Sequence, residues 1–138
     1  MTDEPALILV VDDDIVLAGV VETLLVSAGY RVICAASALQ ALDSVFKDDP
    51  DLVLLDIDLP TRSGIDVLKR IRASPDRKTL PVVMMSARQT MDDVHGALFH
   101  GAQDYLSKPF EEDALLGKVR RHLRKDRAAP AGPRLRPL

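Results

Sequence analysis

Leu52-Val53-Leu54-Leu55 runs without a break into Asp56-Ile57-Asp58, and no other stretch restricts the fold of this chain as tightly. Four consecutive apolar residues leave no polar face, so the segment is expected as a strand covered on both sides, in the middle of a parallel sheet. In an open α/β sheet, ligands collect in the crevice beyond the carboxyl ends of the strands. Asp56 is therefore expected at the end of a central strand, with its carboxylate facing that crevice. A carboxylate that simply ends a strand in solvent has the same local pattern, so the rest of the chain has to decide.

The motif recurs. Leu7–Val11 is a second apolar run and stops at Asp12-Asp13-Asp14. Ile15–Ala28 follows with helical spacing and is closed by Gly29. Arg31–Ala35 reads as a shorter, less apolar strand, with Cys34 in its core-facing set. Ser37-Ala38-Leu39-Gln40 fits a capping box and opens a helix through Ala41, Leu42, Val45 and Phe46, broken at Asp49-Pro50. Gly64–Ala73 carries Ile65, Leu68 and Ile71 on one face, and Pro81–Met85 is another apolar run ending at Ser86-Ala87. Thr90–His100 reads as a helix with Val94, Ala97 and Leu98 inward, stopped by Gly101. Gln103–Leu106 is a more polar strand before Ser107-Lys108-Pro109, and Glu111–Lys125 is a last helix anchored by Leu115, Leu116, Val119 and Leu123.

Strand and helix thus alternate five times, which calls for right-handed parallel crossovers with helices on both faces of one sheet. The three apolar strands belong in the middle and the two polar ones at the edges. The expected class is a doubly wound α/β fold with strand order 2-1-3-4-5. Residues 1–126 form the expected domain, and 127–138, rich in Pro, Ala and Arg, read as a disordered tail or linker. The last twelve residues hold three arginines and no acid, so the remainder carries 15 basic and 21 acidic residues, a net charge of −6 that argues against direct contact with nucleic acid. No apolar stretch approaches the ~20 residues of a membrane span. Met1–Pro5 is acidic, unlike a signal peptide, so a cytoplasmic location without membrane contact is expected.

In such a fold the strand ends deliver Asp12, Asp13, Asp56, Ser86 and Lys108 to one rim. Crowded carboxylates repel unless a cation neutralises them. Oxygen ligands without Cys or His suit Mg²⁺ better than zinc, and Mn²⁺ is an acceptable substitute. A divalent ion, a hydroxyl and an ammonium around one carboxylate is an arrangement for phosphoryl transfer, with Asp56 as acceptor.

Residues 6–125 resemble the receiver domain of bacterial two-component response regulators. The resemblance rests on Ile8-Leu9-Val10-Val11-Asp12-Asp13-Asp14, on Asp51–Asp56 with Leu59-Pro60 and Gly64, on Met85-Ser86-Ala87, and on Gly101–Phe110. It implies a flavodoxin-like (βα)5 fold and a protein that is no enzyme beyond its own Mg²⁺-dependent phosphorylation and dephosphorylation. It implies phosphorylation of Asp56 by a sensor histidine kinase or a histidine phosphotransfer protein. Mg²⁺ would be held by Asp13, Asp56 and the backbone carbonyl of Asp58, with Asp12 acting through water. Ser86 and Tyr105 would form the switch pair, and Lys108-Pro109 would be a cis peptide.

Further expectations follow. Phosphorylation would shift the fourth helix, fifth strand and fifth helix, with Asp104 and Arg120 as candidate pairing charges, and that face would also serve a homodimer. The first helix has Glu22 as its only charge, and Ile15, Val16 and Gly19 are expected to dock the kinase. Asp58 and Arg88 are expected to tune the lifetime of the phosphorylated state across the mouth of the site. The turn Thr61-Arg62-Ser63-Gly64 lacks the acid often found before that glycine. Two rivals compete. Asp56-Ile57-Asp58 after an apolar strand also suits a haloacid-dehalogenase phosphatase, but there the acidic pair follows the nucleophile, and here it precedes it. The other rival is a binding module that has kept the fold without phosphorylation.

Overall fold

The computed structural model describes residues 4–87 and 91–123. Five parallel strands, β1 (Leu7–Val11), β2 (Arg31–Ala35), β3 (Leu52–Asp56), β4 (Val82–Ser86) and β5 (Asp104–Ser107), lie in the order β2-β1-β3-β4-β5. Between them run helices α1 (Ile15–Ser27), α2 (Ala38–Asp48), α3 (Gly64–Ala73) and α4 (Met91–Phe99), and α5 (Glu112–His122) closes the described fold. The strand order is the expected one. Every residue of β1, β3 and β4 is buried, as continuous apolar runs require.

Alternate side chains of these strands feed two separate cores. Leu9, Val11, Val53, Leu55, Val82 and Met84 pack under α2, α3 and α4. Ile8, Val10, Leu52, Leu54, Val83 and Met85 pack under α1 and α5. The two layers of helices therefore clamp a rigid central strand, and the rigidity is passed on to whatever stands at its carboxyl end.

Helix starts follow local chemistry. The Asp14 side chain accepts from the Leu17 N–H at 3.1 Å and caps α1. Ser37 caps α2 by accepting from the Gln40 N–H at 3.2 Å, while the Gln40 amide oxygen reaches back to the Ala36 N–H at 2.8 Å. α1 is apolar over most of its circumference, with Glu22 as its only charge. Ala18, Val21 and Leu25 are buried, yet Ile15 and Val16 are each 77% exposed.

Four expectations are corrected. Leu98 does not point inward: it is 46% exposed, and Ala97 alone of the α4 residues is buried. Cys34 is exposed rather than core, its thiol donating toward Glu22 Oε1 at 3.8 Å. Although the residue is exposed at the surface, partial covering of the thiol and then the Glu22 charge raise it above the usual thiol range. Asp104 pairs with Lys118 and His122, not with Arg120, which is exposed. On α3, Val67 joins Leu68 and Ile71 in the core, while Ile65 is only half-buried. The expected helix start at Thr90, Arg88 and the tail 127–138 lie outside the described residues.

Candidate functional site

Register places the acidic residues side by side. Val11 is level with Leu55 across β1 and β3, so Asp12 and Asp56 are neighbours one step beyond. Asp56 is level with Met85 on β4, and Ser86 is level with Ser107 on β5, just before Lys108. Asp12, Asp13 and Asp56 can each offer a carboxylate oxygen such that all lie within 4.8 Å of one another. Asp12, Asp56 and Ser86 are buried, and Asp13 is exposed. The Lys108 ammonium donates to Asp12 Oδ2 at 2.7 Å and lies 3.4 Å from Asp56 Oδ2. The Lys108-Pro109 peptide is cis.

The electrostatics of the rim are unbalanced. Burial, then the charge of Asp12, push the Asp56 carboxyl up to about 6, against the opposing pull of Lys108. Burial alone would lower the Lys108 ammonium, but its hydrogen bond to Asp12 and the charge of Asp56 outweigh it and raise it. One ammonium faces three carboxylates, which leaves about two negative charges within a few ångströms. The donors are all hard oxygens, in a partly open cluster. That donor set and that excess charge fit a divalent ion of the Mg²⁺ type.

Loop geometry completes the site. Gly64 stands against the Asp56 carbonyl so closely that a Cβ would overlap it, and its N–H donates to the Ile57 carbonyl at 2.7 Å. The loop between β3 and α3 can fold over the acceptor only because position 64 has no side chain. The backbone N–H of Asp58 donates to Asp56 Oδ1 at 3.3 Å. The Ser86 hydroxyl donates to Asp58 Oδ2 at 3.1 Å. This cross-strand bond was not expected from sequence, since nothing local says which way the loop after β3 turns. Tyr105 is half-buried against the core under α2, α3 and α4. Beside it, burial would raise the Asp104 carboxyl, but hydrogen bonds from Lys118, His122 and the Tyr105 N–H hold it below the usual range.

Of the residues singled out in the sequence, Asp12, Asp13, Asp56 and Lys108 are brought into one cluster, and Ser86 joins it through Asp58. Ile15 and Gly19 line a shallow pocket of about 250 Å³ beside the cluster together with Asp12, Val16 is exposed on the same helix, Tyr105 packs against the core, and Arg88 is outside the described residues.

Residues 8–120 match the model of the response regulator receiver domain. A candidate response regulator from Chloroflexus aurantiacus superposes with a TM-score of 0.82 at 39% identity, covering 86% of this chain and 97% of that one. A chemotaxis protein of Vibrio cholerae gives 0.82 at 30% identity, over 86% and 99% of the two chains. The receiver domain of a sensor histidine kinase from Pseudomonas aeruginosa, with a magnesium ion coordinated in its active-site cleft, gives 0.79 at 33% identity, over 86% and 97%.

Proposed function

Since this chain belongs to the response regulator receiver family, a family of two-component signalling modules rather than metabolic enzymes, we propose that Asp56 is its phosphoacceptor and that a histidine kinase or histidine phosphotransfer protein is the donor. The observation that carries the reading is the crowding of Asp12, Asp13 and Asp56 within 4.8 Å around the end of the central strand, with Lys108 as the cation beside them.

Each side chain has a task in that reaction. An Asp56 oxygen attacks phosphorus; the new P–O bond forms as the P–N bond to the donor imidazole breaks, and the imidazole leaves with its electron pair and takes up a proton. Lys108 exchanges its contact with Asp56 for a phosphoryl oxygen. The Ser86 hydroxyl, now given to Asp58, turns to another. Asp12, Asp13, Asp56 and the Asp58 carbonyl are the residues that would hold Mg²⁺ or Mn²⁺, which when bound neutralises charge on the phosphoryl oxygens. The phosphoryl group adds about −1.5 to −2 charges to the rim. Movement of Ser86 toward it makes room for Tyr105 to turn inward, shifting α4, β5 and α5. That face is the proposed output surface and, in a homodimer, the contact surface. A phosphatase of the haloacid-dehalogenase type is displaced by the family assignment.

The kinase is proposed to dock on Ile15, Val16 and Gly19 of α1, beside the acidic rim. Asp58 and Arg88 are proposed to slow the entry of water to the phosphorylated site.

The test is labelling by acetyl phosphate with Mg²⁺, read by intact mass. One added phosphate is expected on the parent chain and none on Asp56→Asn; appreciable labelling of that variant sinks the assignment. Val16→Glu should retain this labelling but lose transfer from a kinase, and equal loss of both counts against the docking site. Asp58→Ala should release phosphate faster than the parent, whereas a slower release would make Asp58 the base that positions the water.

A further inference from the structure

Two exposed faces lie outside the cores and the rim, and the second of them belongs to the proposed α4-β5-α5 output surface. The first is a groove of about 610 Å³ between α2 and α3, lined by Leu39, Leu42, Asp43, Phe46, Arg62 and Arg70 among others. Leu39 is 79% exposed and Phe46 46%. The guanidinium of Arg77 lies 5.4 Å from the Phe46 ring centre and stiffens that side chain on one side. The second is the outer face of α4, where Met91 is 64% exposed, Leu98 46% and Phe99 84%.

The two faces match in spacing and in charge. Leu39 and Phe46 are seven residues apart on one helix, as are Met91 and Leu98 on the other, about 10.5 Å in each case. Four residues after the start of each stripe stands a polar residue, Asp43 in the groove and His95 on α4. The rim of the groove holds two arginines against one acid, Asp43, whereas the flank of the α4 stripe carries the exposed Asp92. Scattered exposed apolar residues need no explanation, but paired stripes rimmed by opposite charge mark a contact surface.

We infer that α4 of one copy of this chain seats in the α2–α3 groove of a second copy. Met91 and Leu98 fill the space beside Leu39, Leu42 and Phe46, Asp92 meets Arg62 or Arg70, and His95 faces Asp43. A molecule cannot fill its own groove, because α4 is held to its own sheet by Ala97. The apolar face of α1 is a poorer occupant, since Glu22 is its only charge. The contact joins unlike surfaces and is therefore head-to-tail, so it grows with concentration unless it closes into a ring. It uses none of the carboxylates of the rim and stands or falls separately from the role of Asp56.

Sedimentation velocity on the full chain tests it. Weak association is expected, on the order of tens to hundreds of micromolar, as befits a small contact. Raising NaCl from about 50 to 500 mM should weaken it by roughly tenfold. Leu39→Glu and Leu98→Glu should each be monomeric, with unchanged circular dichroism and melting, since both positions are exposed. Mixed in equal amounts they should form a one-to-one heterodimer, because the first keeps its α4 and the second keeps its groove. A parent chain that stays monomeric overturns the inference. So does association that persists in Leu39→Glu but not Leu98→Glu, which marks a symmetric α4 contact, and so does failure of the mixture to recover.

Discussion

The two ends of the sheet are built on opposite electrostatic terms. At the carboxyl ends, three carboxylates share one ammonium, and burial pushes Asp56 up to about 6. At the amino ends, charged groups are satisfied by backbone and amide partners. Arg72, at the end of α3, donates to the carbonyls of Gly101 and Arg77, both at 3.0 Å, and to the Gln103 amide oxygen at 2.9 Å. The same Gln103 oxygen accepts from the Val82 N–H at 2.7 Å, and Asp51 Oδ2 accepts from the Leu7 N–H at 2.7 Å. Gly101, at φ 104°, brings its carbonyl under the guanidinium, with no side chain to collide with Arg72. One group breaks the pattern: the buried Arg77 Nε has no hydrogen-bond partner among the described residues. The contrast teaches a division of labour. A satisfied network adds stability and fixes geometry, whereas a site left in conflict is held in readiness for a ligand that resolves it.

The comparison is tested most severely at Arg72. Arg72→Ala removes three charge-assisted hydrogen bonds and takes this donor from the Gly101 carbonyl, so it should destabilise the fold by roughly 2–4 kcal/mol in urea titration. Labelling of the folded fraction by acetyl phosphate should be unchanged. A loss of labelling without loss of stability would erase the distinction between the two ends.

Asp56→Asn should act in the opposite direction. A carboxyl raised to about 6 in the folded state, against 3.8 ordinarily, contributes stability that is whole below 3.8 and lost as pH rises through 6. Metal-free at pH 7.5, the Asn variant should therefore be more stable than the parent by about 1–2 kcal/mol, and the gap should close on acidification toward pH 4. Added Mg²⁺ should stabilise the parent more than the variant. A variant less stable than the parent at pH 7.5 would mean that Asp56 supports the fold rather than straining it.

Asp104 should have the smallest effect, and it extends the contrast to the amino-terminal start of β5, where a carboxylate is again satisfied by its partners. Its carboxyl is held below the usual range, so its contribution is present above the ordinary value and lost as pH falls through the folded one. Because the group is only partly buried and its partners reach solvent, Asp104→Asn should cost at most about 1 kcal/mol at neutral pH, shrinking with salt. Thermal melts at low and high salt measure it.

The sequence was read well where burial leaves one choice. Strands covered on both faces must be continuously apolar, so β1, β3 and β4 and their order were legible, as were the carboxylates that end them. It was misread where a helix or an edge strand has two permissible faces. α4 carries apolar residues around much of its circumference, so periodicity placed Val94, Ala97 and Leu98 all inward, when Ala97 alone is buried. Cys34 lies on the edge strand β2, where α1 covers only part of the surface. Helix phase also decided the partner of Asp104: α5 turns Lys118 and His122, four residues apart, toward β5 and leaves Arg120 outside.

By itself, then, the order of residues determined the strand set, the sheet order and the delivery of Asp12, Asp13, Asp56, Ser86 and Lys108 to one edge, because alternation and apolar runs are local properties. Only the tertiary structure decided that Lys108 reaches Asp12 across the sheet, that Ser86 is engaged by Asp58, that Gly64 lies against the acceptor's carbonyl, and that α2–α3 and α4 expose matching stripes. Those facts depend on the path of loops and the rotation of helices. Both are set by packing between segments far apart in the chain, which no local pattern encodes.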